Sequence, residues 1–251
     1  MNRTPDALAL ARLSDWAYSP VPMLRSRLAA QGWRLVAYQS CSGTQVALVA
    51  GDGWYALVFR GTQITSGSLR ERARDIWTNL RLWPRRWGEG RAHSGYSTAL
   101  DSVLVAVKAM IATVPPGMPL YITGHSLGGA LASLCAAWAA DRLSPGTVAG
   151  LVTFGAPQGL SGASARYVRE TTPVWRYVKR LDIAASGWAP GYSHGGPAIA
   201  LPAARWWHGP YRRHGAGGYV KAVLALESGG VQEAPGLEQG ALGPGGNSPA
   251  A

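Results

Sequence analysis

The sequence predicts an α/β protein with a mostly parallel sheet covered by helices on both faces. Three observations carry that reading: short β-rich runs alternate with helical patterns through the middle of the chain, a glycine-rich turn joins one strand directly to one helix, and no internal repeat competes with the alternation. With 251 residues, 47% of them apolar and 15% charged, the chain can bury a core without covalent staples.

Each element follows from local signals. Thr4 and Pro5 read as a cap and a first helical proline, and Leu8, Leu10, Leu13 and Trp16 run along the helix they open. A second short helix from about Val21 stops at Gly32. Residues 33–39, 45–50 and 54–59 then read as strands, with Gly51-Asp52-Gly53 as the hairpin signal between the last two. A polar stretch rich in arginine and tryptophan leads to a helix over 96–113, which Pro115-Pro116 ends. Strand 120–123, helix 127–140, strand 151–154, helix 161–170, strand 174–178 and a last helix over 215–227 complete the alternation. Residues 228–251 are Gly, Pro and Ala with little to bury, so they read as a flexible tail behind a single domain over 1–227.

Composition excludes several classes. Cys41 and Cys135 are too few and too scattered for a disulfide framework or a zinc cluster, and both read as free thiols. Asp6, Arg12 and Asp15 interrupt the first residues, so no signal-peptide core is expected there, and no stretch approaches membrane-spanning length. A cytoplasmic protein, or one exported without such a signal, is the expectation. The formal charge of +11 includes an arginine cluster between Arg60 and Arg91, which suits an anionic surface such as phospholipid and equally suits a solvated basic face. Nucleic acid is disfavoured because no binding module accompanies the charge.

The chemistry concentrates at Gly124-His125-Ser126-Leu127-Gly128-Gly129, set between an apolar strand and a helix of small residues. In such a G-x-S-x-G turn the glycines permit a tight bend and the serine sits strained at its apex; the plain alternative is a glycine-rich turn. The Leu127 N–H then lies at a helix N-terminus, where it favours developing negative charge, and so supplies half of an oxyanion hole. Phe59-Arg60-Gly61-Thr62 ends an earlier strand, with Gly61 allowing close approach, so the Thr62 N–H is the candidate second donor; a simple strand-ending turn is the other reading.

These segments together make the chain resemble the fungal-type class three lipases, triacylglycerol and related ester hydrolases of the α/β-hydrolase fold. Besides the elbow and the segment before Thr62, the resemblance rests on Asp75-Ile76-Trp77-Thr78-Asn79-Leu80, Ala92-His93-Ser94-Gly95-Tyr96, Val152-Thr153-Phe154-Gly155-Ala156-Pro157 and Tyr192-Ser193-His194-Gly195. It implies the chain order serine, acid, histidine, an oxyanion donor at Thr62 and a mobile lid after it, here about 63–91.

An acid must orient the base and stabilise the imidazolium. Asp141, Glu170 and Asp182 follow the serine. Asp141 ends the helix that starts at the elbow, roughly 20 Å away at about 1.5 Å per residue, and Glu170 ends another helix. Asp182 follows strand 174–178 at the carboxyl edge, where such sheets place their sites; a surface ion pair with Arg180 or Lys179 is its alternative. Of the later histidines, His194 falls in a segment resembling a non-catalytic part of the family. His214, with Tyr219 five residues on, resembles the family's catalytic histidine, and His208 beside Trp206-Trp207 is the rival base. His93 and His125 precede the acid and are expected to pack.

The expected activity is therefore lipase-like hydrolysis of an acylglycerol or other lipid ester through an acyl-enzyme on Ser126, with no metal and no cofactor. Trp77, Trp83 and Trp87 among arginines suit a lid meeting lipid, or equally a surface helix with tryptophans in the core. A phospholipase A-type activity and a catalytically silent basic lipid-binding module are the alternatives.

Overall fold

The computed structural model describes residues 6–61, 84–88, 90–180, 182–186, 190–202 and 214–228. Helices α1 (Ala7–Trp16) and α2 (Val21–Ala29) come first. Asp6 rather than Thr4 caps α1, its carboxylate accepting the Ala9 N–H at 2.6 Å; aspartate satisfies a free helix N–H as well as threonine does. Thr4 and Pro5 lie outside the described residues.

Among the described residues seven strands form the main sheet: β1 (Arg34–Cys41), β2 (Thr44–Ala50), β3 (Tyr55–Phe59), β6 (Leu120–His125), β7 (Val148–Phe154), β8 (Val174–Lys179) and β9 (Ala198–Leu201), neighbours in that order. β1, β2 and β3 pair antiparallel, and every pairing from β3 to β9 is parallel. Ser42 and Gly43, both at positive φ (49° and 81°), make the twisted two-residue turn between β1 and β2. The predicted turn at Gly51-Asp52-Gly53 closes with the Gly51 N–H on the Trp54 carbonyl at 2.9 Å.

Strand alternation sends apolar side chains to both faces, as buried parallel sheets require. Leu57, Phe59, Leu120 and Ile122 pack beneath α3 (Ser94–Ala112) and α4 (Leu127–Arg142), flanked by α5 (Gly162–Thr171). Ala56, Val58, Tyr121 and Phe154 face α1 and the last described helix, α7 (Ala216–Ser228). A four-residue helix, α6 (Ile183–Ser186), follows β8.

Two expectations change. At 19 residues, α3 is long and apolar enough by length and composition to cross a membrane, which the sequence reading did not anticipate. Its Tyr96, Leu100, Val103, Val107 and Met110 are buried in the core, so its hydropathy is that of a packed helix face. The lid-like stretch is described only from Pro84, where β4 (Pro84–Trp87) and β5 (Gly90–His93) make a separate hairpin. There Trp87 points into the core and its indole N–H donates to the Leu134 carbonyl at 2.9 Å. Trp77 and Trp83 lie outside the described residues.

Candidate active site

The strand-to-helix bend is built by contact, not by glycine flexibility alone. A side chain at Gly124 would overlap the Gly128 and Gly129 backbone, and one at Gly128 would overlap the Phe59 carbonyl and the Arg60–Gly61 backbone. With those approaches fixed, Ser126 adopts φ 58° and ψ −130°, a strained region for a non-glycine residue, and its N–H donates to the Phe154 carbonyl at 3.0 Å. Leu127 then starts α4, so its N–H is among the first helix donors, which have no acceptor within the helix.

Parallel strands bring Asp182 and His214 to this bend. β8 delivers Asp182 just past its carboxyl end, and His214 lies two residues before α7. His214 Nε2 stands 2.6 Å from Ser126 Oγ, and His214 Nδ1 lies 2.9 Å from each Asp182 carboxylate oxygen. Nδ1 must donate to the carboxylate, which leaves the Nε2 lone pair facing the hydroxyl. Asp182 also accepts the Tyr219 O–H at 2.6 Å and the Ala184 N–H at 3.0 Å. The carboxyl is 0% exposed, against 6% for Ser126 and 9% for His214. Burial alone would raise its pKa; hydrogen bonds from His214, Tyr219 and Ala184, with the nearby imidazole charge, outweigh burial and hold it below the ordinary carboxylate value. This carboxyl therefore has none of the surroundings of a surface ion pair.

His125, expected only to pack, does more. Its Nε2 donates to the His214 carbonyl at 2.6 Å, so its Nδ1 accepts the Tyr18 O–H at 3.0 Å. Burial, and then the neighbouring His214, push its pKa down to about 3, so the ring is a neutral strut under the His214 backbone. His93 packs as expected, stacked on Tyr96 at 4.3 Å. The His194 carbonyl accepts from Arg169, and the pKa of its ring is lowered to about 4, chiefly by burial. Asp141 pairs with Arg142 at 2.7 Å at the far end of α4, and Glu170 sits in the last turn of α5.

Thr62 and His208 lie outside the described residues. The residue before Thr62 is informative, because a side chain on Gly61 would collide with Tyr18 and the His125 carbonyl, which puts Gly61 against the elbow. Sequence reasoning missed Tyr18 and Lys179. Tyr18 gave no signal, since nothing local links the end of α1 to a histidine more than 100 residues away; Lys179 appeared only as a surface partner, yet it is buried.

The class 3 lipase family model matches residues 56–189, just over half of the chain. A Caenorhabditis elegans lipase, ZK262.3, is 35% identical over 104 residues, which span 41% of this chain but only 28% of that protein. Among solved structures, the Rhizomucor miehei triacylglyceride lipase superposes with a TM-score of 0.63 at 25% identity, covering 76% of this chain and 77% of that one. Its native propeptide complex gives 0.60 at 25%, covering 76% and 66%. Lipase II from Rhizopus niveus shares the fold, with a TM-score of 0.62 at 22% identity over 77% of each chain. The chain belongs to the class 3 lipase family, the fungal type of α/β-hydrolase.

Proposed function

We propose that this protein is a lipase-like carboxylic ester hydrolase in which Ser126 is the nucleophile, His214 the base and Asp182 the orienting acid. The observation that carries the reading is the continuous hydrogen-bonded chain from Ser126 Oγ through both ring nitrogens of His214 to Asp182. Ser126 attacks the ester carbonyl as His214 Nε2 takes its proton; the carbon–oxygen bond to the alcohol breaks as that proton is returned to the leaving alkoxide. Water then adds to the acyl-enzyme by the same route and releases the acid. The Leu127 N–H is one donor to the developing oxyanion, and Thr62, adjacent to the packed Gly61, supplies the other. Each such donor typically contributes about 3 kcal/mol to the transition state, so losing Thr62's share slows turnover by about two orders of magnitude.

An acylglycerol or another lipid ester is the proposed substrate, supported by membership of a family whose structural neighbours include a triacylglyceride lipase. The test is hydrolysis of an ester chain-length series, soluble and emulsified, with phospholipid vesicles as a separate arm, together with fluorophosphonate labelling. Wild type should label and turn over acylglycerols, while Ser126→Ala and His214→Ala should do neither. Faster release of acid from phospholipid would move the substrate to the phospholipase A class. Absence of labelling in wild type would leave a silent lipid-binding module, and a dead His208→Ala beside an active His214→Ala would transfer the base to His208.

A further inference from the structure

Lys179 is the last residue of β8 and the most deeply buried one, with only 2% of its surface exposed. It touches Tyr219 twice. Its backbone N–H donates to the Tyr219 hydroxyl at 3.2 Å, and its ammonium sits 4.4 Å from the centre of the Tyr219 ring, over its face. Tyr219 cannot retreat: Gly155, at φ +59°, packs so closely beneath the phenol that a side chain there would overlap it. The hydroxyl held between these contacts is the one that donates to Asp182 at 2.6 Å.

We infer that Lys179 is a positioning residue for the Ser126–His214–Asp182 chain: its ammonium fixes Tyr219 against Asp182 and helps keep that buried carboxylate charged. The inference rests on the hydrolase reading above. The groups around this contact are Asp182 beyond β8, His125 on β6, His214 before α7 and Arg176 on β8 itself, and the carboxylate among them is Asp182. A cation here strengthens the phenol as a donor, because withdrawing electron density from the ring makes its O–H more acidic, and it offsets what burial does to the carboxylate.

Burial, partly offset by Asp182, lowers the Lys179 pKa to about 8 from an ordinary value of 10.5, so the fold disfavours the charge it carries at neutral pH. An uncharged side chain of similar length would suit the core better, so packing alone does not account for a lysine at this position.

The experiment compares full-length wild type, Lys179→Met, Lys179→Arg and Ser126→Ala on a soluble ester between pH 5 and 10, with a thermal melt of each. Lys179→Met is expected to melt no lower than wild type and to lose at least about fivefold in kcat with KM within twofold. Wild type should also lose activity above about pH 8 as the ammonium deprotonates, whereas Lys179→Arg, charged throughout, should lack that alkaline fall. A Lys179→Met profile that superimposes on wild type overturns the inference. So does a loss of activity that tracks a lower melting point and is not restored by arginine. Activity persisting in Ser126→Ala would instead remove the hydrolase reading, which is a different result.

Discussion

A single histidine shows how much the local surroundings decide. His125 precedes Ser126 and hydrogen-bonds Tyr18 and the His214 carbonyl, yet burial, and then the neighbouring His214, keep it neutral, with a folded pKa near 3 against an ordinary 6.5. A depressed folded value means that its stabilising share is complete above pH 6.5 and is lost as pH falls towards 3, at up to about 1.4 kcal/mol per pH unit. Burial lowers His194 and His93 in the same direction, so the acid-side slope is shared, while Asp182 adds its loss only below its ordinary value of 3.8. His125→Gln, which can still donate to the His214 carbonyl, should flatten the fall in melting temperature between pH 6.5 and 4.5 by about one proton's worth; an unchanged slope would assign it elsewhere. Tyr219→Phe tests the other support of the site. It removes a donor from a buried carboxylate and an acceptor from the Lys179 N–H, and hydrogen bonds to charged groups contribute about 1.5–3 kcal/mol. Turnover should drop by about tenfold or more with little change in KM, read from steady-state kinetics on a soluble ester.

Elements were legible where a strong period or a steric demand marked them. The strand-bend-helix unit around Ser126 was plain because glycine at 124 and 128 answers a collision that any other residue would create. Asp182 and His214 were legible as candidates, but their meeting was not, since it depends on β8 and α7 being carried to one edge by strands distant in sequence. Weakly marked elements stayed hidden. β9 buries only Leu201 among its four residues, and β4 buries only Trp87, so neither shows an alternation long enough to read. The steric argument at the bend is open to test. Gly128→Ala would push a methyl group into the Phe59 carbonyl and the Arg60–Gly61 backbone, which belong to a central strand end and cannot rotate away as a side chain could. It should lower stability by about 1–3 kcal/mol or more and abolish ester hydrolysis, whereas Gly117→Ala, where an added methyl meets open space though at φ +79°, should cost only its local backbone strain and leave activity near wild type. Equal losses at both positions, by thermal melt and kinetics, would refute the close-approach account.

For the whole molecule the question is how far the working unit extends. α7 closes the sheet face that carries α1, burying Tyr219, Ala222 and Val223 and bringing Tyr219 to Asp182, while Leu224, Leu226 and the other residues nearest its end are exposed. Beyond Ser228 the sequence runs largely to glycine, proline and alanine, a composition with little surface to bury. A chain ending at Ser228 should therefore melt within about 2 °C of full length and retain its Ser126-dependent ester hydrolysis. One ending at Gly218 keeps His214 but loses the Tyr219 hydroxyl from Asp182 and uncovers Phe154 and Leu13, so it should melt far lower or fail to fold. Paired melts and rates on the two truncations decide the boundary. If the Ser228 chain lost stability comparably to the Gly218 chain, residues 229–251 would have to contribute contacts that their composition gives no reason to expect.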